Sequence, residues 1–190
     1  MKFRESQLAH DYLDGLSGLE IGGAAHNPFG LDTINVDRFA VGTPHHDIYA
    51  AEQMRLCGEV MNVDVVAPGD KLPFADKSFD FVISSHVIEH FFDPLGALLE
   101  WKRVAKKYIF IICPFRWALE SDVDKPTTPL SELIARHAGE IPDPGTDEHH
   151  SRWEPEGFIE MLEYLELPIV RVQFPDDKVG NGMCFIVKLD

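Results

Sequence analysis

Short apolar segments recur along this chain, and most of them are continuous instead of alternating with polar residues. Continuous apolar runs are typical of strands that are buried on both faces of a sheet. We therefore predict seven strands, at Leu19–Ile21, Ile34–Val36, Val60–Val66, Phe79–Ser84, Tyr108–Cys113, Ile169–Phe174 and Cys184–Leu189.

Helix signals lie before and between these runs. An opening amphipathic helix is predicted from four residues that share one face, Leu8, Tyr12, Leu13 and Leu16. Thr43-Pro44 and Asp93-Pro94 each place a capping side chain before a proline at the first helical position, which predicts two further helix starts. The second of these helices should end in basic residues that interact with the negative end of the helix dipole, namely Lys102, Arg103, Lys106 and Lys107.

The order of these elements indicates the fold class. Strands that alternate with helices imply right-handed crossovers and a parallel sheet, with ligands bound beyond the carboxyl ends of the strands. The last two strands are separated only by Pro175–Met183, which contains the turn signal Asn181-Gly182, so they should pair antiparallel. We predict an α/β fold with a Rossmann-like, doubly wound, mostly parallel seven-stranded sheet and a C-terminal antiparallel hairpin strand.

One segment interrupts the alternation within a chain whose 190 residues suit a single domain, 1–190. Residues 114–155 are rich in Pro, Asp, Glu and His and carry one clear helix signal, around Pro129–His137. Because this insertion follows the fifth strand, it should cover the ligand end of the sheet. We predict a semi-rigid substrate lid that forms no part of the core.

Composition and charge limit the classes of partner that we expect. The formal net charge of −15 would repel a phosphate backbone, and no apolar run approaches the roughly 20 residues of a membrane span. We therefore expect a cytoplasmic protein that binds neither nucleic acid nor membrane, and that folds alone or as a homodimer. Cys57, Cys113 and Cys184 are too few and too widely spaced for a disulfide framework, so buried thiols are expected.

A loop of small residues follows the first predicted strand. Gly22, Gly23 and Ala24 lie in it, and Asp37 ends the second strand. Small residues let the backbone approach a ligand closely, and a carboxylate at that strand end can accept hydrogen bonds from both hydroxyls of a ribose. These features predict nucleoside binding, although by themselves they also fit a tight turn and a solvated strand end.

The downstream sequence extends this pattern. The run LPFADKSFDFVISSHVIEH, Leu72–His90, resembles the fourth-strand region of class I S-adenosylmethionine-dependent methyltransferases, of the small single-domain kind termed methyltransferase type 11. Glu20 and Gly22 match the acidic-x-Gly start of that family's cofactor loop, whereas Ala24 and His26 replace its later glycines. The resemblance implies S-adenosylmethionine as the cofactor and methyl transfer as the reaction.

The resemblance also implies roles for individual residues. Glu20 would lie near the methionyl end of the cofactor, Asp37 at the ribose and the loop Ala67–Leu72 beside the adenine. The complete implied cofactor-binding set is Glu20, Gly22, Gly23, Ala24, His26, Asp37, Asp70, Leu72 and Ser85. His26 either contacts the methionine moiety or caps the following turn. His86 is the candidate catalytic base, because imidazole titrates near neutral pH, and a structural histidine is the alternative.

The insertion should provide the acceptor site. It concentrates Arg, His and Trp in an acidic chain, and a guanidinium beside an aromatic face suits a sugar or an anionic small molecule. The stretch Cys113–Leu130 also resembles methyltransferases that modify sugars. We predict a small-molecule or glycan acceptor, with a plain surface loop as the alternative. The candidate substrate-binding residues are Arg116, His149, His150, Arg152 and Trp153.

Two other functions fit parts of the sequence. The segment from His86 to His90 also matches the H-x-x-E-H motif, in which two histidines on one helix hold zinc and a glutamate acts as base. A zinc-dependent hydrolase is therefore an alternative, although we expect no bound metal because the other signals assign this segment to methyl transfer. A catalytically silent nucleotide-binding module is a further alternative, since Ala24 and His26 alter the loop.

Overall fold

The fold is built on one seven-stranded sheet in the computed structural model, which describes residues 3–190. Met1 and Lys2, which the predicted domain includes, lie outside the described residues. The strands are β1 Ser17–Ile21, β2 Asp32–Asp37, β3 Val65–Val66, β4 Phe79–Ser85, β5 Ala105–Pro114, β6 Ile169–Gln173 and β7 Gly182–Lys188. Their order across the sheet is β3-β2-β1-β4-β5-β7-β6, and β7 runs antiparallel to both of its neighbours while the other pairs are parallel. The predicted fold class is confirmed.

Helices cover both faces of this sheet. They are α1 Gln7–Leu13, α2 Pro44–Cys57, α3 Pro94–Val104, α4 Leu130–His137 and α5 Pro155–Tyr164, with 3-10 turns η1 Ile88–His90 and η2 Glu120–Asp122. Both predicted caps form, because the side chain of Thr43 accepts from the amide of His46, and that of Asp93 accepts from the amide of Gly96. None of the helices in residues 3–190 is long and apolar enough to cross a bilayer.

Three local predictions need correction. The strand expected at Val60–Val66 is only Val65–Val66, because side chains bind the backbone before it: Gln53 accepts from the amide of Met61 at 2.8 Å. The helix after Asp93 ends at Val104, so the last two of its predicted basic residues, Lys106 and Lys107, belong to β5. Helix α5 was not predicted, although Phe158, Met161 and Leu162 bury one of its faces.

The core has two parts, one on each face of the sheet. Successive residues of β5 alternate between them: Ile109 and Ile111 pack with Trp101 of α3, whereas Phe110 and Ile112 pack with α1. The first part also contains Leu133 and Trp153, both buried, which belong to the predicted insertion. The expectation that the insertion forms no part of the core is therefore wrong. Burial on both faces holds the carboxyl ends of β1, β2 and β4 in fixed positions.

Candidate cofactor and acceptor site

A cavity of about 500 Å³ lies at the carboxyl ends of β1, β2 and β4. Ile21, Asp37 and Ser85, which end these three strands, line it. The rest of the wall comes from the loops after β1, β2 and β3, one face of α2, the turn after β4 and part of residues 143–150 of the insertion. The position is the one expected for a ligand in a parallel α/β sheet.

The floor of the cavity is the glycine loop after β1. Gly22 has a φ of +66°, and a Cβ added there would lie 2.7 Å from Cγ2 of Val87. A Cβ added to Gly23 would lie 2.6 Å from the side-chain oxygen of Asn35. Neither position has room for a side chain, so bare backbone faces the cavity, as the close approach of a ligand requires.

Asn35 holds this loop in place and was not identified from the sequence. Its buried side chain accepts from the amide of Gly23 at 2.9 Å and donates to the carbonyl oxygens of Gly23, at 3.2 Å, and Asn62, at 2.6 Å. A polar residue between Ile34 and Val36, inside an apolar strand, was the available signal. Buried amides of this kind need hydrogen-bond partners, which here are supplied by the loop that the side chain positions.

Asp37 ends β2 and lines the cavity beside this loop. Its carboxylate accepts from the amide of Phe39 at 2.8 Å, which fixes its orientation. Burial raises its pKa, and the hydrogen bond from Phe39 opposes that shift. A carboxylate held at this position is suited to accept hydrogen bonds from ribose hydroxyls.

The other predicted cofactor residues divide into two groups. Besides Gly22, Gly23 and Asp37, the cavity wall includes Ala24, His26, Asp70 and Ser85. Glu20 lies behind the loop, where it is buried, accepts from the hydroxyl of Thr33 at 3.3 Å and has a pKa that burial raises to about 7. Leu72 is buried in the core, and its amide donates to Glu100 at 2.7 Å. The structure thus brings seven of the nine residues to the cavity.

A cluster of rings on the β2–α2 side of the cavity was also missed. Phe39 stacks on His45, with ring centres 5.0 Å apart and planes within 6°, and on Tyr49 at 5.7 Å. The guanidinium of Arg38 lies 4.5 Å from the centre of the Phe39 ring. The available sequence signal was the basic and aromatic pair Arg38-Phe39 directly after Asp37.

The insertion contacts this ring cluster and contributes to the cavity wall. Asp147 receives a hydrogen bond from the Tyr49 hydroxyl at 2.7 Å and forms an ion pair with Arg38 at 2.7 Å. Next to it, Asp143, Thr146 and other residues of the same segment line the cavity. These contacts join the insertion to the β2 side of the sheet across the cavity.

His86 lies just past β4 in the cavity wall, as predicted. Its φ is +55°, and its amide donates to the carbonyl of Ile112 at 2.8 Å, so the backbone holds this unusual conformation. Burial lowers the pKa of His86 to about 4. The imidazole is therefore neutral at physiological pH and is a weak base.

Close to His86, two partly buried histidines and two buried carboxylates form a cluster. Glu89 is 1% exposed, and burial raises its pKa to about 8, whereas burial lowers that of His90 to about 4. Nδ1 of His149 lies 2.6 Å from Oδ2 of Asp122, and Nε2 of His149 lies 3.8 Å from Oε1 of Glu89. The rings of His90 and His149 meet edge to face at 4.7 Å.

Of the five predicted acceptor residues, the structure places only His150 in the cavity wall. Arg116 pairs with Glu154 at 3.3 Å, and the guanidinium of Arg152 donates to Asp122 at 2.7 Å. Trp153 is 1% exposed and packs on Phe158. The fifth, His149, lies in the cluster with Glu89, His90 and Asp122. Ion pairs and burial thus engage four of the five side chains that the sequence suggested for acceptor binding.

The H-x-x-E-H arrangement does not form. Residues Ile88–His90 make a single 3-10 turn, and His86 lies outside it with a positive φ. The two histidines are therefore not one turn apart on an α-helix, which the motif requires. This geometry does not support the alternative of a zinc-dependent hydrolase.

Known proteins resemble this chain in both sequence and fold. Residues 45–113 match the family model described as a methyltransferase domain. The complete fold superposes on a S-adenosylmethionine-dependent methyltransferase of Thermotoga maritima, with a TM-score of 0.57, 17% identity and coverage of 97% of this chain and 87% of the other. The chain has the fold of the S-adenosylmethionine-dependent methyltransferases. The family resemblance predicted from the sequence is confirmed.

Other matches agree with this methyltransferase fold. A S-adenosylmethionine-dependent methyltransferase of Methanosarcina mazei has a TM-score of 0.57 at 17% identity, covering 99% of this chain and 98% of its own. Magnesium protoporphyrin IX methyltransferase of Synechocystis, solved with S-adenosylhomocysteine, has a TM-score of 0.53 at 12% identity, covering 96% and 78%. An uncharacterized methyltransferase of Schizosaccharomyces pombe is 46% identical over 43 residues, which are 23% of this chain and 16% of that protein. These matches agree with this chain in fold, and the chain spans only 16% of the length of the Schizosaccharomyces pombe protein.

Proposed function

We propose that this protein is a S-adenosylmethionine-dependent methyltransferase that methylates a small-molecule or glycan acceptor. The observation that carries the proposal is a single cavity that joins the glycine loop and Asp37 on one side to His86, His90 and His150 on the other. Its volume of about 500 Å³ is in the range of small-ligand sites. One space can therefore receive both a nucleoside cofactor and part of an acceptor.

The residues on one side of the cavity wall suit the binding of S-adenosylmethionine. The bare backbone of Gly22 and Gly23 admits the methionine portion, and Asp37 accepts hydrogen bonds from the ribose. Asp70 borders the adenine, and Ser85 lies at the end of β4, where the methyl group is presented. Ser85 is itself held in place, because its hydroxyl accepts from the side-chain amide of Asn27 at 3.2 Å.

Methyl transfer needs little chemical assistance from such a site. Bound in the cavity, S-adenosylmethionine would supply an activated methyl group to a lone pair of the acceptor, and the electron pair of the broken carbon–sulfur bond would stay on the sulfur of neutral S-adenosylhomocysteine. Holding the acceptor in line supplies most of the acceleration. His86 is the candidate group to take the proton that the acceptor loses, and its low pKa makes it a weak base, so positioning dominates.

The acceptor half of the cavity favours hydroxyl-bearing molecules. Three imidazoles, those of His86, His90 and His150, supply both hydrogen-bond donors and acceptors. The ring of Phe92 lies edge to face with His150 at 5.6 Å and offers an apolar surface. Sugars combine hydroxyl groups with apolar ring faces, and the net charge of −15 disfavours polyanionic acceptors.

The test is an assay of S-adenosylhomocysteine formation from S-adenosylmethionine with separate acceptor pools. One pool holds mono- and oligosaccharides, a second holds small phenols and amines, and others hold RNA and unfolded protein. We expect turnover with one of the first two pools. We also expect His150→Ala to reduce transfer at least about 10-fold while cofactor affinity stays within about 2-fold, because only the acceptor side loses a contact.

The matched control is His137→Ala, since His137 lies on α4 and pairs with Asp93 at 2.8 Å, outside the cavity. It should keep wild-type turnover. Product formation only with RNA or protein would contradict the proposed acceptor class. Tight cofactor binding without turnover in any pool would instead identify the catalytically silent module.

A further inference from the structure

A second group of side chains, next to the cavity, has the composition of a metal site. Glu89, His90 and His149 each offer one ligand atom, and these atoms lie within 4.8 Å of one another. Glu89 and His90 belong to the turn after β4, whereas His149 comes from the insertion. The backbone fixes this meeting, because the carbonyl of Glu89 accepts from the amides of His150 at 2.8 Å and Ser151 at 3.3 Å.

The cluster contains buried polar atoms without partners. Oε2 of Glu89 and Nδ1 of His90 are buried and make no hydrogen bond with any described residue. Glu89 is 1% exposed, so bulk solvent does not reach its carboxylate. Leaving such groups unpaired is costly, and native structures satisfy nearly all of them.

Asp122 determines how His149 faces this cluster. Its carboxylate lies 2.6 Å from Nδ1 of His149, so in the neutral ring the proton belongs on Nδ1 and the lone pair on Nε2. That lone pair lies 3.8 Å from Oε1 of Glu89, too far for a hydrogen bond. Two electron-pair donors thus face each other across a gap that suits a shared cation, with a carboxylate behind the histidine as in metal sites.

We infer that Glu89, His90 and His149 form a binding site for a first-row divalent cation, best suited to Zn²⁺, with Asp122 as a positioning residue. Two imidazoles and one carboxylate match the donors that zinc prefers, and three protein ligands leave a coordination position open. Tetrahedral ligands at about 2.1 Å lie about 3.4 Å apart, so the present separations need closure of about 1.5 Å or less.

This site differs from the H-x-x-E-H motif. That motif would use His86 with His90, whereas here His149 replaces His86 and the glutamate becomes a ligand. A cation in this position would tie the insertion to the turn after β4. Because His90 also lines the cavity, the ion would lie at its wall. The inference replaces the expectation of no bound metal, and it holds whether or not methyl transfer is found.

The experiment measures metal content and affinity of the full-length protein. Protein purified without chelator is analysed by inductively coupled plasma mass spectrometry, and the chelator-treated protein is then titrated with Zn²⁺ against a chromophoric competitor. We expect about one zinc per chain. Glu89→Gln and His149→Gln should each weaken zinc binding at least about 100-fold, and Asp122→Asn about 10–100-fold, because it acts through His149.

Two matched variants and one spectroscopic signal complete the test. His137→Gln removes a histidine elsewhere in the same segment and should keep the wild-type affinity. His86→Asn, which tolerates the positive φ, should also keep zinc. Cobalt in place of zinc should give visible absorption bands that disappear in His149→Gln, and circular dichroism verifies that each variant is folded.

The inference is overturned if folded wild-type protein shows no saturable binding of Zn²⁺ or Co²⁺ at micromolar concentrations. It is also overturned if Glu89→Gln and His149→Gln bind zinc as the wild type does. Loss of zinc in His86→Asn together with its retention in His149→Gln would assign the metal to the H-x-x-E-H pair instead.

Discussion

Asp37→Asn is the substitution that most directly probes cofactor recognition. The asparagine keeps a side-chain oxygen for the amide of Phe39, which now donates to the carboxylate at 2.8 Å, so the local turn is retained. What changes is the loss of one negative charge and one acceptor oxygen from the cavity wall. The variant therefore isolates the proposed contact with the ribose from the folding of the loop.

The magnitude follows from the chemistry of the lost contact. A hydrogen bond to a charged group contributes about 1.5–3 kcal/mol, which corresponds to a factor of about 10–150 in the dissociation constant. The raised pKa of Asp37 indicates a partly desolvated carboxylate, so screening by water reduces this contribution little. We expect S-adenosylhomocysteine to bind at least about 10-fold more weakly.

Isothermal titration calorimetry with S-adenosylhomocysteine measures this change. Asp47→Asn is the matched control, because it removes the same charge from the first turn of α2, where Asp47 lies outside the cavity wall. The control should stay within about 2-fold of the wild type. An affinity of Asp37→Asn equal to that of the control would refute the ribose assignment.

Three further substitutions test other parts of the account. Gly22→Ala should lower the unfolding free energy by about 2–5 kcal/mol, because the residue has a positive φ and the added Cβ would clash with Val87. In urea titrations the further substitution Val87→Ala should restore the part of this loss that comes from the clash. Strictly additive effects of the two substitutions would contradict this. Burial raises the pKa of Glu20 from 4.5 to about 7, so the folded state holds a proton that the unfolded state releases between these pH values. The unfolding free energy of the wild type, relative to that of Glu20→Gln, should therefore fall by up to about 3 kcal/mol as the pH rises from 4.5 to above 7. A pH-independent difference between the two proteins would refute this. Tyr49→Phe removes one of the two contacts that hold Asp147, while the ion pair with Arg38 remains, and should speed S-adenosylhomocysteine release about 2–10-fold in stopped-flow measurements. An unchanged rate would argue against a lid.

Features determined by local sequence were predictable. Continuous apolar runs identified the strands because both faces of the sheet are covered, and the short link before β7 required antiparallel pairing. The glycine loop and Asp37 were identified from their places at strand ends, because the loop directly follows β1 and Asp37 is the last residue of β2. Helix α5 was missed although its local signals are present: Pro155 opens its first turn, and the buried residues Phe158, Met161 and Leu162 are spaced i, i+3 and i+4.

Contacts distant in sequence account for the rest. Arg116 and Arg152 were expected to bind substrate, but each pairs with a carboxylate, 38 and 30 residues away respectively. Local sequence composition does not predict such distant ion pairs. Trp153 likewise became part of the core through packing on α5. The meeting of Glu89 with His149 depends on how the insertion folds back onto the turn after β4, which no local pattern encodes.

The central claim is that the cavity binds S-adenosylmethionine. Calorimetric titration of wild-type protein with S-adenosylhomocysteine tests it most directly, with NAD as the competing dinucleotide in a parallel titration. The account predicts saturable binding of one S-adenosylhomocysteine per chain at micromolar or tighter affinity, and no heat with NAD. Absence of binding by either sulfur nucleotide, or saturable binding of NAD alone, would contradict it.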